Sequence, residues 1–579
     1  MLTSRRTIVM HHEADKPIRS IGFAMLALTI LATGCMGPVL RQQSPAVQIP
    51  EDDSPDTNLI GDVAHPYGMG YVKLEAVALV TGLQGTGEDP QPSPQRAAML
   101  GEMNRREVEN PNQVLASPNT ALVLVRGLLK PGIEAGEQFD IEVRAPSRSS
   151  TISLRGGQLL ETRLTEMAVL GGQIRQGHLM AIAEGAVLVD PNADSPKDMA
   201  RARIGRVLGG GRVLKSRSLG LILDHEQQSV RMSQSISKSI NKRFYSYFEG
   251  QRRGVATPKT DEYIELKLHP RYKDNVGRYM RIVRNIAIGE SHLQSQSRLQ
   301  LLNNQLTDPI TSASAALRLE AIGSEQAIEV LKQGLLDEDP EVRFYAAEAL
   351  AYLDITEAIN PLTAITKEEP AFRAHALVAL SAMDDGAAYE QLRTLLQVKS
   401  AETRYGAFRA LTAMAPNDSL VRGELMNEKF RYHVLDIPGV SMVHVTSSRR
   451  PEIVLFGKDH PLQLPLVLDA GPHILVNGLS GGEVKITRFG ETTQQRVVSN
   501  NLNDVIRTVV ELGGEYPDVV QMIQQAKDTG CMTSRFKINA LPTGGNEILE
   551  SNQDNLADSE ISDSYQIQTP QPELFGKKS

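Results

Sequence analysis

The residues able to do chemistry are few, and their spacing does not suit it. Gly82-Leu83-Gln84-Gly85-Thr86-Gly87 follows an apolar run that reads as a strand, where a phosphate-cradling loop would sit. Such a loop needs a following Gly-Lys-Ser/Thr, or a helix that opens at once, so that backbone amides face the anion. Here Glu88-Asp89-Pro90 follows and adds two carboxylates instead. Gly209-Gly210-Gly211 reads as a turn. Ser235-Ile236-Ser237-Lys238 and Ser239-Ile240-Asn241-Lys242 fit the Ser-x-x-Lys pattern of an acyl-transfer nucleophile. The companion Lys-Thr-Gly strand is reduced to Lys259-Thr260-Asp261, so an exposed Ser/Lys helix face explains both. The 12 histidines are scattered without metal-ligand spacing, and His225-Glu226 and His375 read as surface or repeat-packing residues. No catalytic, cofactor-binding or metal-binding residue is expected, and the chain reads as non-enzymatic.

Composition narrows the class. The 579 residues exceed one compact core and imply several domains. Lys and Arg number 61 against 69 Asp and Glu, a formal charge of −8, which lacks the basic excess of a nucleic-acid binder. Tryptophan is absent and aromatics make up 4%, which argues against a stacking platform or a sugar cleft. The two cysteines, Cys35 and Cys531, exclude a disulfide scaffold and any Cys-rich zinc site.

The elements that must hold these residues fall into blocks. Arg5, Arg6, Lys16 and Arg19 precede an apolar run over 21–32, too short to span a bilayer and suited to a signal-peptide core. It ends in Leu31-Ala32-Thr33-Gly34-Cys35, which resembles the lipobox of bacterial lipoproteins, although the leucine stands one place early. That resemblance implies cleavage after residue 34 and a lipid on Cys35. Met36, rather than Asp, follows, which points to the periplasmic face of the outer membrane. Residues 35–60 are expected to be a flexible tether and 543–579 a disordered tail, since both are polar and poor in apolar residues.

Residues 61–290 are expected to be β-rich with interspersed helices: 77–80 and 121–125 are short apolar runs, and 138–143 alternates with period two. Residues 233–243 read as a helix with Ile236 and Ile240 on one face. Residues 291–420 read as an α-solenoid. Pro340-Glu341-Val342-Arg343, Pro370-Ala371-Phe372-Arg373 and Ala401-Glu402-Thr403-Arg404 align, and each precedes an Ala/Leu-rich helix that needs neighbours to bury it. These segments resemble short HEAT-type repeats. The ladder Arg343, Arg373, Arg404 either lines a partner-binding concave face or caps and bridges successive repeats. Residues 421–542 read as a small α+β domain with strands near 431–435, 452–456, 483–487 and 535–538 and helices near 504–512 and 517–527. The fold class is therefore multi-domain α+β.

The first folded block resembles the bacterial flagellar P-ring protein family. Residues 73–89, containing Gly82, Gly85 and Gly87, are similar to that family's Gly-Leu-x-Gly-Thr-Gly-Asp segment. Lys130-Pro131-Gly132, the strand 136–143, Leu154-Arg155-Gly156-Gly157, Met180-Ala181-Ile182-Ala183-Glu184-Gly185 and Gly205-Arg206-Val207 follow in the family's order. The resemblance implies a structural, homo-oligomeric periplasmic ring in the flagellar basal body that contacts other basal-body or envelope proteins. It implies neither catalysis nor a cofactor. The repeat array begins where the family's C-terminal part should continue, and an outer-membrane adapter working through the solenoid is the alternative.

Overall fold

The computed structural model describes residues 57–542 apart from 171–172, 191–192, 194–198 and 249. The segment expected to be a signal peptide, Cys35 and the expected tail 543–579 lie outside the described residues. The fold begins inside the span expected to be tether. Thr57, Leu59 and Ile60 are buried, and Leu59 bridges to Ala287.

Residues 61–290 are centred on a six-stranded antiparallel barrel: β1 (Val72–Thr81), β2 (Ala121–Leu129), β3 (Gln138–Arg144), β4 (Gln158–Leu170), β5 (Gln173–Ala186) and β6 (Ile204–Val213). The order is β3-β2-β1-β4-β5-β6, and β6 pairs back onto β3 from Gln138↔Arg212 to Arg144↔Ile204. Closure satisfies the edges that an open sheet of this length would expose. Period-two alternation sends Val123, Val125, Ile141, Val143, Leu164 and Ala181 inward to fill the barrel. The expected turn at Gly209-Gly210-Gly211 is instead part of β6, where the β3–β6 register shifts between Phe139 and Ile141. A side chain at Gly211 would collide with Phe139 and Ile141, one at Gly210 with Val207 and Glu184 O, and Gly209 has a positive φ of 61°, so the glycines serve a bulge. A helix absent from the sequence reading, Pro94–Arg105, is capped by Ser93 and covers Leu79 and Leu122 on the barrel's outer face.

A four-stranded sheet, ordered Ala64–Tyr67, Leu219–Leu223, Tyr263–Leu266 and Ala256–Pro258, flanks the barrel. Beside it lies α1 (Val230–Arg243), capped by Ser229 and burying Ile236 and Ile240. Helix α2 (Val276–Arg284) leads into the solenoid: α3 (His292–Leu306), α4 (Ser312–Ile322), α5 (Glu325–Gly334), α6 (Pro340–Tyr352), α7 (Ile359–Glu368), α8 (Arg373–Ala382), α9 (Gly386–Leu395) and α10 (Ala401–Met414). The inner helices α4, α6, α8 and α10 are buried along most of their length, whereas the outer ones bury one stripe.

The last block holds a five-stranded mixed sheet, ordered Glu424–Met426, Phe430–Leu435, Glu452–Phe456, Met442–Val445 and Arg535–Ile538. A four-stranded meander (Val467–Ala470, Ile474–Gly478, Glu483–Arg488, Gln494–Ser499) and the helices Leu502–Glu511 and Tyr516–Asp528 pack with it around one core. The fold class expected from the sequence matches this arrangement of β-rich, helical and α+β regions.

Candidate functional site

The glycine-rich segment and the Leu154-Arg155-Gly156-Gly157 segment meet at one end of the barrel. Leu83 N–H donates to Asn119 O (3.1 Å) and Gly85 N–H to Asn119 Oδ1 (3.1 Å). Thr86 Oγ1 donates to Ser153 O (2.8 Å), and Thr86 O accepts from Ile152 N–H (2.8 Å). Gly87 and Gly157 are fixed by space. A Cβ on Gly87 would lie 2.0 Å from Thr120 O, and one on Gly157 would lie 2.4 Å from Val80 Cγ1. Leu154 is buried, and the Arg155 guanidinium donates to Asp190 O (3.2 Å). The Leu83, Gly85 and Gly87 amides are spent on internal bonds, the last to Pro118 O (2.8 Å), so the cluster works as a structural knot.

That knot is a seat for the C-terminal domain. Pro472 lies against Gly156, and Gln84 Nε2 is 3.3 Å from His473 Nε2. The Asp140 carboxylate on β3 accepts from Gly209 N–H (2.9 Å) and from Arg449 N–H across the seam. Burial pushes the Asp140 carboxyl above the usual carboxylate range, although both backbone donors oppose it. Gln158 donates to Glu515, which also accepts from Lys429. Leu188 and Leu208 join the C-terminal hydrophobic core.

Two buried ionic clusters, unexpected from the sequence, fasten the solenoid's inner helices to the rest of the chain. At the first, Arg278 on α2 donates to Glu320 (3.0 Å from Nε) and pairs with Glu348, while Tyr272 Oη donates to Glu320 (2.6 Å). Tyr272 stacks on Tyr352 at 4.8 Å. Burial alone would lower the Arg278 pKa, but the two carboxylates outweigh it and hold the guanidinium charged. At the second, Glu452 accepts from Arg409 (3.0 Å) and Tyr405 Oη (2.9 Å) and lies 3.7 Å from His433. Burial would raise its pKa. Arg409, His433, Arg450 and the Tyr405 hydroxyl outweigh that effect and bring it down to about 2.

The arginine ladder is spent on main-chain carbonyls of the same chain, at helix ends and in the loops between helices. Arg343 donates to Asp337 O (2.8 Å) and Glu338 O (2.7 Å). Arg373 donates to Thr366 O (3.0 Å) and reaches Glu402 of the next repeat (3.0 Å). Arg404 donates to Leu396 O (2.8 Å) and Val440 O (2.6 Å). Cys531 is buried and unbridged. Among the described residues no group of His, Cys, Asp and Glu could hold a metal, and no helix is long and apolar enough to cross a membrane.

A filled antiparallel barrel, fused to a helical-repeat solenoid and closed by an α+β domain, defines a multi-domain chain whose motif residues hold loops and seams. Residues 59–304 match the family model described as flagellar P-ring protein, and residues 295–381 match that for HEAT repeats. The two matches share most of α3. Helices α9 and α10 continue the array beyond the second match. Curated relatives agree. The flagellar P-ring protein of Pectobacterium carotovorum is 27% identical over 244 residues, 40% of this chain and 60% of that one. That of Chromohalobacter salexigens is 30% identical over 170 residues, 28% and 43% respectively. That of Thermotoga maritima is 26% identical over 243 residues, 40% and 67%. The chain thus spans about 60% of the length of the first of these relatives.

Proposed function

We propose that this chain is a structural subunit of a homo-oligomeric periplasmic ring in the flagellar basal body, held at the outer membrane by a lipid on Cys35. Residues 61–290 would be its ring-building unit, 291–420 its solenoid and 421–542 a closing domain. The observation that carries this reading is the match over 59–304, whose motif residues serve as turns and seams. The lipobox-like segment Leu31-Ala32-Thr33-Gly34-Cys35 supports the anchor. The adapter alternative has less support, because α4, α6 and α10 spend their inner faces on Arg278 and Glu452 of the same chain. Deleting the gene should abolish motility and leave growth intact, and a normally motile deletion strain would overturn the proposal.

A further inference from the structure

Immediately after α1 the chain forms a two-stranded antiparallel hairpin, Tyr245–Phe248 with Gln251–Gly254, which joins no other sheet among the described residues. Such a ribbon has two open edges and is marginal in water by itself. The Arg252 guanidinium ties it to the end of α1, donating to Asn241 O (3.2 Å) and Lys242 O (3.1 Å). Register places Tyr247 opposite Arg252 and Tyr245 opposite Gly254, so both tyrosines and Arg252 share one face. Tyr247 is 70% exposed and Tyr245 36%. Their rings meet edge to face at 5.8 Å, and the Arg252 guanidinium lies 3.7 Å over Tyr245. Every residue of Gln251–Gly254 is exposed; Arg253, opposite Ser246, stands on the other face of the ribbon, and Lys238 and Lys242 are exposed on α1.

We infer that this hairpin docks on an anionic lipid headgroup surface. Tyrosine rings with polar tips are suited to the depth of the headgroups, and clustered arginines and lysines complement their charge.

The inference goes beyond the ring reading and is tested without the lipid. The chain from Gln43 onward retains every hydrophobic cluster described above. It should co-float with phosphatidylglycerol-containing vesicles and not with phosphatidylcholine vesicles, and 0.5 M salt should release it. Arg253→Ser should weaken binding about fivefold, the weight of one basic residue near such a surface. Tyr247→Ser should add a further loss, with thermal melting unchanged for both variants. Equal flotation of the parent and both variants, or no flotation of the parent, would overturn the inference. Capture of a protein or a glycan by the hairpin without vesicle binding would also do so. Failure here leaves lipidation of Cys35 to be judged separately, by mass spectrometry of the membrane-bound chain.

Discussion

Lowering the pH from 7 to 5 should destabilise the solenoid and C-terminal domain by several kcal/mol, through three buried neutral histidines. Burial depresses His375 to about 3, with Arg281 and Arg278 beside it adding to the effect. Burial likewise takes His433 to about 4 and His444 to about 3, in both cases against the opposing pull of Glu452. His444 stacks on Tyr405 at 3.5 Å, and its Nε2 accepts from Ala540 N–H (3.0 Å). Each folded-state pKa lies below the unfolded value near 6.5, so the unfolded chain takes up protons first as pH falls. The stability is complete above about 6.5 and is lost on the way down to 4 and 3. At pH 5 each histidine has lost about 2 kcal/mol, from 1.5 pH units at 1.36 kcal/mol each, or about 6 for the three. Asp518 opposes them. Burial raises it to about 6, so acid returns about 1.4 kcal/mol by pH 5. Glu452, at about 2, keeps its contribution until the pH falls below its unfolded value of 4.5. The net loss of about 5 kcal/mol should lower Tm by about 10 °C or more between pH 7 and pH 5 in differential scanning calorimetry. His433→Gln with His444→Gln should flatten most of that slope. A Tm constant within about 3 °C over this range would refute the reasoning.

Replacing Arg409 with Met should cost about 3–5 kcal/mol, since Glu452 is left charged in the core. The double variant Arg409→Met, Glu452→Leu should recover most of that loss in urea unfolding. Two glycine substitutions should act with opposite signs in thermal melts. Gly87→Ala forces a methyl onto Thr120 O and should cost about 1–3 kcal/mol. Gly101→Ala, in open space on the helix Pro94–Arg105, should gain about 0.5–1 kcal/mol.

The solenoid was legible because its signal is local. Ala/Leu stripes repeat every thirty or so residues, and each repeat meets only its neighbours. The strands of the first block were legible individually, but their closure was not, because β3 and β6 pair across 60 to 74 residues and no local pattern encodes that contact. Helix Pro94–Arg105 was missed because its apolar residues make only a thin stripe, although Ser93-Pro94 is a helix-start signal. The ionic clusters look like surface charge when read one residue at a time. Glu348 stands inside Ala346-Ala347-Glu348-Ala349-Leu350 and Glu320 beside Leu319 and Ala321, and a carboxylate in the midst of a small apolar run is the cue that could have exposed them. The motif glycines were visible as motifs, but which of them make turns and which make room for a neighbour depends on partners distant in sequence, such as Val80 against Gly157.

The most direct test of the ring assignment is quantitative mass spectrometry of intact flagellar basal bodies purified from the source organism. The account predicts this chain in fixed stoichiometry with the other ring proteins, and enriched over the bulk envelope fraction. Its absence from the basal bodies, with the chain abundant elsewhere in the envelope, would contradict it.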